Sequence, residues 1–258
     1  MAIDQKFINQ FASVTSKAAV ASYKLVGKKD KIAADKAAVD SMRNELNKLN
    51  VDGKIVIGEG ELDKAPMLYI GEKVGTTRGP KIDIAVDPLE GTNFAANNLP
   101  GALSVIAIAE KDNLFHAPET YMEKISSKVN ERGVIDLDHT VKENIFNLCE
   151  YLNKKPESIT ACILDRPRHK KIITEISKLG AKIKLISDGD VSGALLVTDE
   201  KYDVDIFLGI GGGPEGVLAA SALDSFNCVF QGRFLFDTEV DKLRANKMGI
   251  KNLTKKYE

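Results

Sequence analysis

An α/β protein in two parts, an α+β N-terminal half and an α/β C-terminal half, is predicted by three stretches of the 258-residue sequence. Residues 5–49 carry apolar side chains at helical spacing. Ile82-Asp83-Ile84-Ala85-Val86 is an alternating apolar run that reads as a buried strand, and it leads straight into Asp87-Pro88-Leu89-Glu90-Gly91-Thr92. After Lys154-Lys155-Pro156, strand-like and helix-like segments alternate, which predicts a mainly parallel sheet. The expected division is residues 1–156 and residues 157–258.

The elements follow in order. Phe7, Ile8, Phe11, Val14, Ala18 and Leu25 predict an amphipathic helix over 5–26, with Asp4 as N-cap and Gly27 as stop. A basic connector, Lys28-Lys29-Asp30-Lys31, leads to a second helix from Ile32 to Leu49, with Asp35 in its first turns. Val51-Asp52-Gly53 reads as a turn, and Lys54–Ile57 as a strand running into Gly58-Glu59-Gly60-Glu61. Further strands are expected at 83–86 and 103–109, with Asn113–Pro118 a turn-rich stretch. Thr140-Val141-Lys142-Glu143 has the form of a capping box opening a helix to Leu152. In the last part, strands are expected at 160–164, 182–186 and 204–208, and helices at 168–179, 190–197 and 214–224.

Composition narrows the function classes. Hydrophobic residues make up 43% of the chain, enough for a sizeable core. The formal net charge of −1 argues against a nucleic-acid partner held by bulk charge. Cys149, Cys162 and Cys228 have no short spacing, which excludes a Cys-rich zinc site, argues against a disulfide framework and points to a reducing compartment. The first residues lack the pattern of a signal peptide, and runs such as Ala102–Ala109 are too short to span a bilayer. The expectation is a soluble, cytoplasmic protein with no membrane partner.

The chemistry lies at element ends. Asp35, Glu59, Asp87, Glu90 and Glu215 each stand at an element end or a glycine-flanked turn. One such acid alone reads as a solvated turn residue. Asp87, Glu90 and Thr92 together, on a sharp turn set by Pro88 and Gly91, read as a hard-cation site. Gathered acids repel one another unless cations neutralise them. Oxygen-only ligation suits Mg²⁺ or Mn²⁺ rather than zinc, and such ions are a standard device for phosphate chemistry.

The three strands of the last part end in Asp165-Arg166-Pro167-Arg168, Ser187-Asp188-Gly189-Asp190 and the run from Gly209 to Glu215, where open α/β sheets bind ligands. Arg166 and Arg168 leave a rigid turn and suit a phosphate. Asp188 and Asp190 suit sugar hydroxyls or a helix cap, with capping the simpler reading for Asp190. Gly211-Gly212-Gly213 offers backbone N–H groups as an anion nest. No Gly-Lys-Ser/Thr sequence is present, which argues against a nucleotide-binding module. His169 reads as a helix residue, solvated or set behind the site. Cys149 and Cys162 read as core, and Lys242–Lys256 as a solvated tail or helix face.

Together these motifs resemble the class II (GlpX-type) fructose-1,6-bisphosphatases, within the lithium-sensitive, metal-dependent sugar and inositol phosphatases. The resemblance rests on Lys31–Val39, Val56–Glu61, Ala65–Val74, Asp87–Thr92, Ala117–Lys124, Arg166–His169, Asp188–Asp190 and Gly211–Gly216, and runs from about residue 14 to the end. It implies a layered α-β-α-β-α fold, with a metal-binding first domain and a substrate-binding second one. It implies Asp35 and Glu59 on one metal, and Asp87, Glu90 and Glu215 on a second, Mn²⁺ or Mg²⁺. Thr92, with Asp35 assisting, would position or deprotonate the attacking water. Glu90, Gly91, Thr92, Tyr121, Arg166, Pro167, Arg168, Asp188, Gly189, Asp190 and Gly212 would line the sugar bisphosphate site, with Lys31 a weaker candidate. The implied reaction removes the 1-phosphate of fructose 1,6-bisphosphate, in gluconeogenesis and glycerol metabolism, by a homo-oligomer (dimer or tetramer). Sedoheptulose 1,7-bisphosphate is the alternative substrate. One departure is expected to matter: family members continue past the region of Lys247–Ile250, and Gln231–Met248 is also short. A sheet lacking a strand, with an exposed edge, is therefore expected, and a non-catalytic sugar-phosphate-binding protein is the alternative of another class.

Overall fold

The computed structural model describes residues 5–60, 68–129 and 131–258. The chain divides into two compact units, Met1–Ala117 and Pro118–Glu258. The division thus falls at Ala117–Pro118 and not after residue 156. Strand pairing is the reason: Tyr121–Ser127 is a strand hydrogen-bonded on both sides within the second unit's sheet.

The first unit runs α1 (Lys6–Tyr23), α2 (Lys31–Leu46), β1 (Asp52–Ile57), β2 (Lys73–Val74), β3 (Lys81–Glu90), α3 (Thr92–Ala96) and β4 (Leu103–Glu110). Phe7, Phe11, Val14 and Ala18 of α1 pack with Ala34, Ala38, Val39, Met42 and Leu46 of α2 against Ile55, Ile82, Ile84 and Val86 of the sheet. The helical spacing in the sequence is therefore the spacing of a buried stripe. Asp30 caps α2, its side chain accepting from the Ala33 N–H at 2.9 Å, and Asp35 lies in the first turns as expected. The expected cap at Asp4 lies outside the described residues, as do Glu61 and Ala65–Met67. Gly27 ends the α1 segment at φ 76°, and its N–H donates to Ala95 O at 2.9 Å.

The four strands lie in the order β2-β1-β3-β4, with β1 and β3 parallel and the other pairs antiparallel. Val51-Asp52-Gly53 is not the expected turn, because Asp52 and Gly53 already pair with Lys81 and Ile82. Nor does β3 stop at Val86. It runs to Glu90, and its ladder to β4 slips between Asp87↔Val105 and Glu90↔Leu103. Pro88, which has no N–H to give, stands in that interruption. The sharp turn comes later, at Gly91 (φ 77°), the N-cap of α3.

The second unit runs β5 (Tyr121–Ser127), α4 (Val141–Leu152), β6 (Thr160–Leu164), α5 (Lys170–Lys178), β7 (Lys182–Ile186), α6 (Asp190–Leu195), β8 (Ile206–Gly212), α7 (Gly213–Ser225), β9 (Val229–Leu235), α8 (Glu239–Lys247) and β10 (Lys256–Tyr257). Its sheet has the order β10-β9-β5-β8-β6-β7. Only β6–β7 and β6–β8 are parallel, so the mainly parallel sheet expected from the alternation is instead mixed. The strand that changes it is β5, inserted between β8 and β9. Cys149 and Cys162 are core, as expected, and burial pushes the Cys162 thiol up to about 12. The capping box of α4 is present in both directions between Thr140 and Glu143. At the other end, Lys256 is not a solvated tail residue: its Nζ lies 2.6 and 2.7 Å from the two Asp136 oxygens and 2.9 Å from Asp138 Oδ2. Among the described residues no helix is long and apolar enough to cross a membrane.

Candidate active site

In the first unit, two of the expected acids follow the parallel pairing of β1 and β3. The last paired couple of β1 and β3 is Ile57↔Ala85. Glu59 and Asp87 each follow two residues later in the chain, Glu59 just past the end of β1 and Asp87 within β3 at the start of its bulge. Glu59 is held at its backbone, where its N–H donates to Leu68 O at 2.9 Å. Asp87 Oδ1 accepts from the Leu89 N–H at 3.1 Å, which folds the bulged segment onto its own side chain. Glu90 is buried, and Thr92 is the first residue of α3. Asp35 lies on α2, which packs against α3. It is half-buried, and burial pushes its carboxyl up.

A pair that the sequence reading did not assign fixes the loop after β1. Glu72, 4% exposed, accepts from Arg43 Nε at 2.5 Å and from the Leu68 N–H. Leu68 is the residue that receives the Glu59 N–H. Gly58 is needed beside it, since a Cβ there would lie 1.9 Å from Leu68 O. A buried acid within an apolar stretch was the available signal.

In the second unit the expected residues cluster at the ends of β6, β7 and β8. The two arginines diverge. Arg166 Nη1 donates to Ser187 O at 2.6 Å, toward the end of β7, and its Nη2 lies 3.5 Å from Asp188 Oδ1. Arg168 Nε and Nη2 donate to Ile210 O on β8 at 2.9 and 2.8 Å. Its guanidinium also sits 4.9 Å from the centre of the Tyr121 ring, a cation–π contact. Pro167 opens the short 3-10 turn between them.

Asp190 is not a helix cap. Gly189 (φ 81°) holds that position, and Asp190 is the first residue of α6. Its Oδ2 accepts instead from Lys124 Nζ, a fully buried ammonium on β5 that the sequence reading passed over. The glycine run also differs from an exposed nest. Gly211 and Gly212 end β8, and Gly213 begins α7. A Cβ on Gly211 would fall 2.2 Å from Asp190 Oδ2, and one on Gly212 would fall 1.9 Å from Glu215 Oε2. These glycines make room for two carboxylates. His169 is fully buried and not solvated, because both ring nitrogens find backbone partners.

The donors fit a hard divalent cation in kind, being carboxylates with no histidine or thiol among them. Glu215 Oε2 is buried with no hydrogen-bond partner among the described residues, a cost that a cation would offset. Among the described residues no three His, Cys, Asp or Glu side chains form a group that could hold an ion.

The family model described as bacterial fructose-1,6-bisphosphatase, glpX-encoded, matches residues 5–258. A class 2 fructose-1,6-bisphosphatase from Escherichia coli is 44% identical over 248 residues, covering 95% of this chain and 74% of the relative. A protein from Synechocystis named D-fructose 1,6-bisphosphatase class 2/sedoheptulose 1,7-bisphosphatase is 42% identical over 272 residues, covering 96% and 79%. Among solved structures, an extragenic suppressor from Pyrococcus furiosus aligns over 85% of this chain and 84% of its own, at 12% identity and a TM-score of 0.43, too loose a likeness to bear on function. The family model and the named relatives define the class of protein, a phosphoric monoester hydrolase. This chain belongs to the glpX-encoded, class 2 fructose-1,6-bisphosphatase family.

Proposed function

We propose that this protein hydrolyses the 1-phosphate of D-fructose 1,6-bisphosphate to D-fructose 6-phosphate and phosphate, with Mn²⁺ or Mg²⁺, as a step of gluconeogenesis. The observation that supports the reading is the β1–β3 register: its last pair is Ile57↔Ala85, and Glu59 and Asp87 each follow two residues later, with Glu90 and Thr92 just beyond. Asp35, Glu59, Asp87, Glu90 and Glu215 are the proposed ligands. Bound divalent ions would supply positive charge for the phosphoryl oxygens and acidify a water. The rest falls to the chain. Thr92, fixed at the start of α3, orients the attacking water with its hydroxyl. Gly91 lets the chain turn so that this hydroxyl follows the acids directly. Arg166 and Arg168 offer N–H groups to the phosphate that is kept, and Asp188 accepts from a sugar hydroxyl. Tyr121 backs the Arg168 guanidinium. The same proposal includes a homo-oligomer, dimer or tetramer, which light scattering would measure.

The second substrate is sedoheptulose 1,7-bisphosphate, which the names of the cyanobacterial relatives favour. A panel of the two sugar bisphosphates with each ion tests both readings. Turnover of the fructose compound supports the proposal, and phosphate release from neither compound overturns it.

A further inference from the structure

The β6–β8 ladder is short. These strands pair in parallel at Ala161↔Ile206 and Cys162↔Phe207 only. Continued in register, the ladder would set Leu164 opposite Gly209, with the Leu164 carbonyl facing the Ile210 N–H. Those two groups do meet a common partner, but not each other. His169 Nδ1 lies 2.7 Å from Leu164 O, and the Ile210 N–H donates to His169 Nε2 at 2.8 Å. With Nε2 accepting, Nδ1 must carry the proton, so the ring is neutral and in one tautomer. An imidazole therefore stands in the ladder as a spacer and holds the two strand ends apart. Gly209 leaves it space, since a Cβ there would come within 3.1 Å of Nε2. The spacer acts where ligands bind in such sheets, outside the carboxyl ends of parallel strands.

The same residue of β8 anchors Arg168. The Ile210 carbonyl accepts both Arg168 Nε and Nη2, while its N–H is taken by His169, the next residue in the chain. Of the five guanidinium N–H groups, this carbonyl engages two. Arg168 thus takes its place from the carbonyl of a residue whose N–H the imidazole holds.

We propose that His169 is a positioning residue for substrate affinity: as a neutral spacer between β6 and β8 it places Ile210, and through Ile210 the Arg168 guanidinium that receives the retained phosphate. This rests on the reading of Arg168 as a phosphate ligand. His169 touches neither substrate nor reacting atoms. Its loss weakens sugar phosphate binding and leaves the chemical step nearly intact.

Two variants separate this role from simple packing. His169→Gln keeps an acceptor for the Ile210 N–H, whereas His169→Asn keeps a donor for Leu164 O and loses Ile210. The full chain with Mn²⁺ is titrated with fructose 6-phosphate by calorimetry, and KM and kcat for fructose 1,6-bisphosphate are measured alongside thermal stability. His169→Asn is expected to bind fructose 6-phosphate at least tenfold more weakly and to raise KM by a similar factor, with kcat within threefold. His169→Gln recovers most of the affinity even where both variants melt at the same temperature. Equal affinity and KM in wild type and His169→Asn overturn the inference alone. A wild type that binds no fructose 6-phosphate, or whose Arg168→Ala variant binds it unchanged, overturns the phosphate reading and the inference with it.

Discussion

Lys124 Nζ donates to Asp190 Oδ2 in the interior of the second unit, where the lysine side chain is 1% exposed and the aspartate 10%. Asp190 Oδ1 is buried and has no hydrogen-bond partner among the described residues. The pair links the middle strand β5 to the start of α6, so the aspartate that the resemblance assigns to the sugar is also the counter-ion of a core lysine. Removing one member strands the other's charge. Asp190→Ala is expected to cost about 3–5 kcal/mol in thermal or denaturant unfolding, whereas the double variant Lys124→Met/Asp190→Leu loses clearly less. A single variant as stable as the wild type would show that the pair is not formed.

The glycines at the end of β8 make a second prediction. Gly211→Ala puts a methyl group 2.2 Å from Asp190 Oδ2, and Gly212→Ala puts one 1.9 Å from Glu215 Oε2. Each carboxylate must swing away. Both variants are expected to lose at least tenfold in kcat/KM, and Gly212→Ala should also raise the Mn²⁺ concentration needed for half-activation. Unchanged activation by Mn²⁺ would remove Glu215 from the proposed ligands.

Glu72 offers a test away from the proposed ligands. It joins Arg43 of α2 to the Leu68 backbone, and Leu68 O receives the Glu59 N–H. Since Arg43 is 39% exposed, part of its charge is solvated when the partner is lost. Glu72→Ala is expected to cost about 1–3 kcal/mol and to lower activity by loosening Glu59. Glu72→Gln, which keeps an acceptor, should recover part of both.

What is legible in the sequence is written locally. The Thr140–Glu143 capping box and the Pro167 turn each depend on residues a few positions apart, and they appear where spacing puts them. What spacing does not carry is partnership across the sheet. Tyr121–Ser127 is a strand only because β8 and β9 flank it, and that one insertion made the sheet mixed and moved the boundary from 156 to Ala117. For the same reason Lys124 drew no reading and His169 an open one. A lysine or histidine reads as exposed until the aspartate, or the two backbone groups, that neutralise its cost are brought in by residues dozens of positions away. Asp87–Glu90 shows the opposite error: Pro and Gly read as a turn, whereas the strand continued through a bulge that spared the proline its missing donor.

The tether of β10 makes a pH prediction. Burial would push the Asp136 carboxyl up, but hydrogen bonds from Lys256, the Asp138 N–H and Gln231 hold it below its ordinary value of 3.8. A depressed carboxylate contributes stability above its unfolded value and loses it as pH falls through the folded one. The hydrogen bond to Asp136 raises Lys256 above 10.5, so its contribution is present below that pH and is lost as pH rises through the folded value. Hydrogen exchange at Lys256 and Tyr257, corrected for intrinsic rates, should show protection at neutral pH that falls once the pH drops below about 3.8. In Lys256→Met the protection should be weak throughout.

Phosphate release from fructose 1,6-bisphosphate tests the central claim most directly. Wild-type protein, Glu59→Ala and Thr92→Ala are assayed with Mn²⁺ and with Mg²⁺, after each is shown to be folded. The expected result is release by the wild type with at least one ion, and losses of about a hundredfold or more in both variants. No release by the wild type with either ion, or release by Glu59→Ala at the wild-type rate, would contradict the assignment of the β1 and β3 strand ends as the catalytic centre.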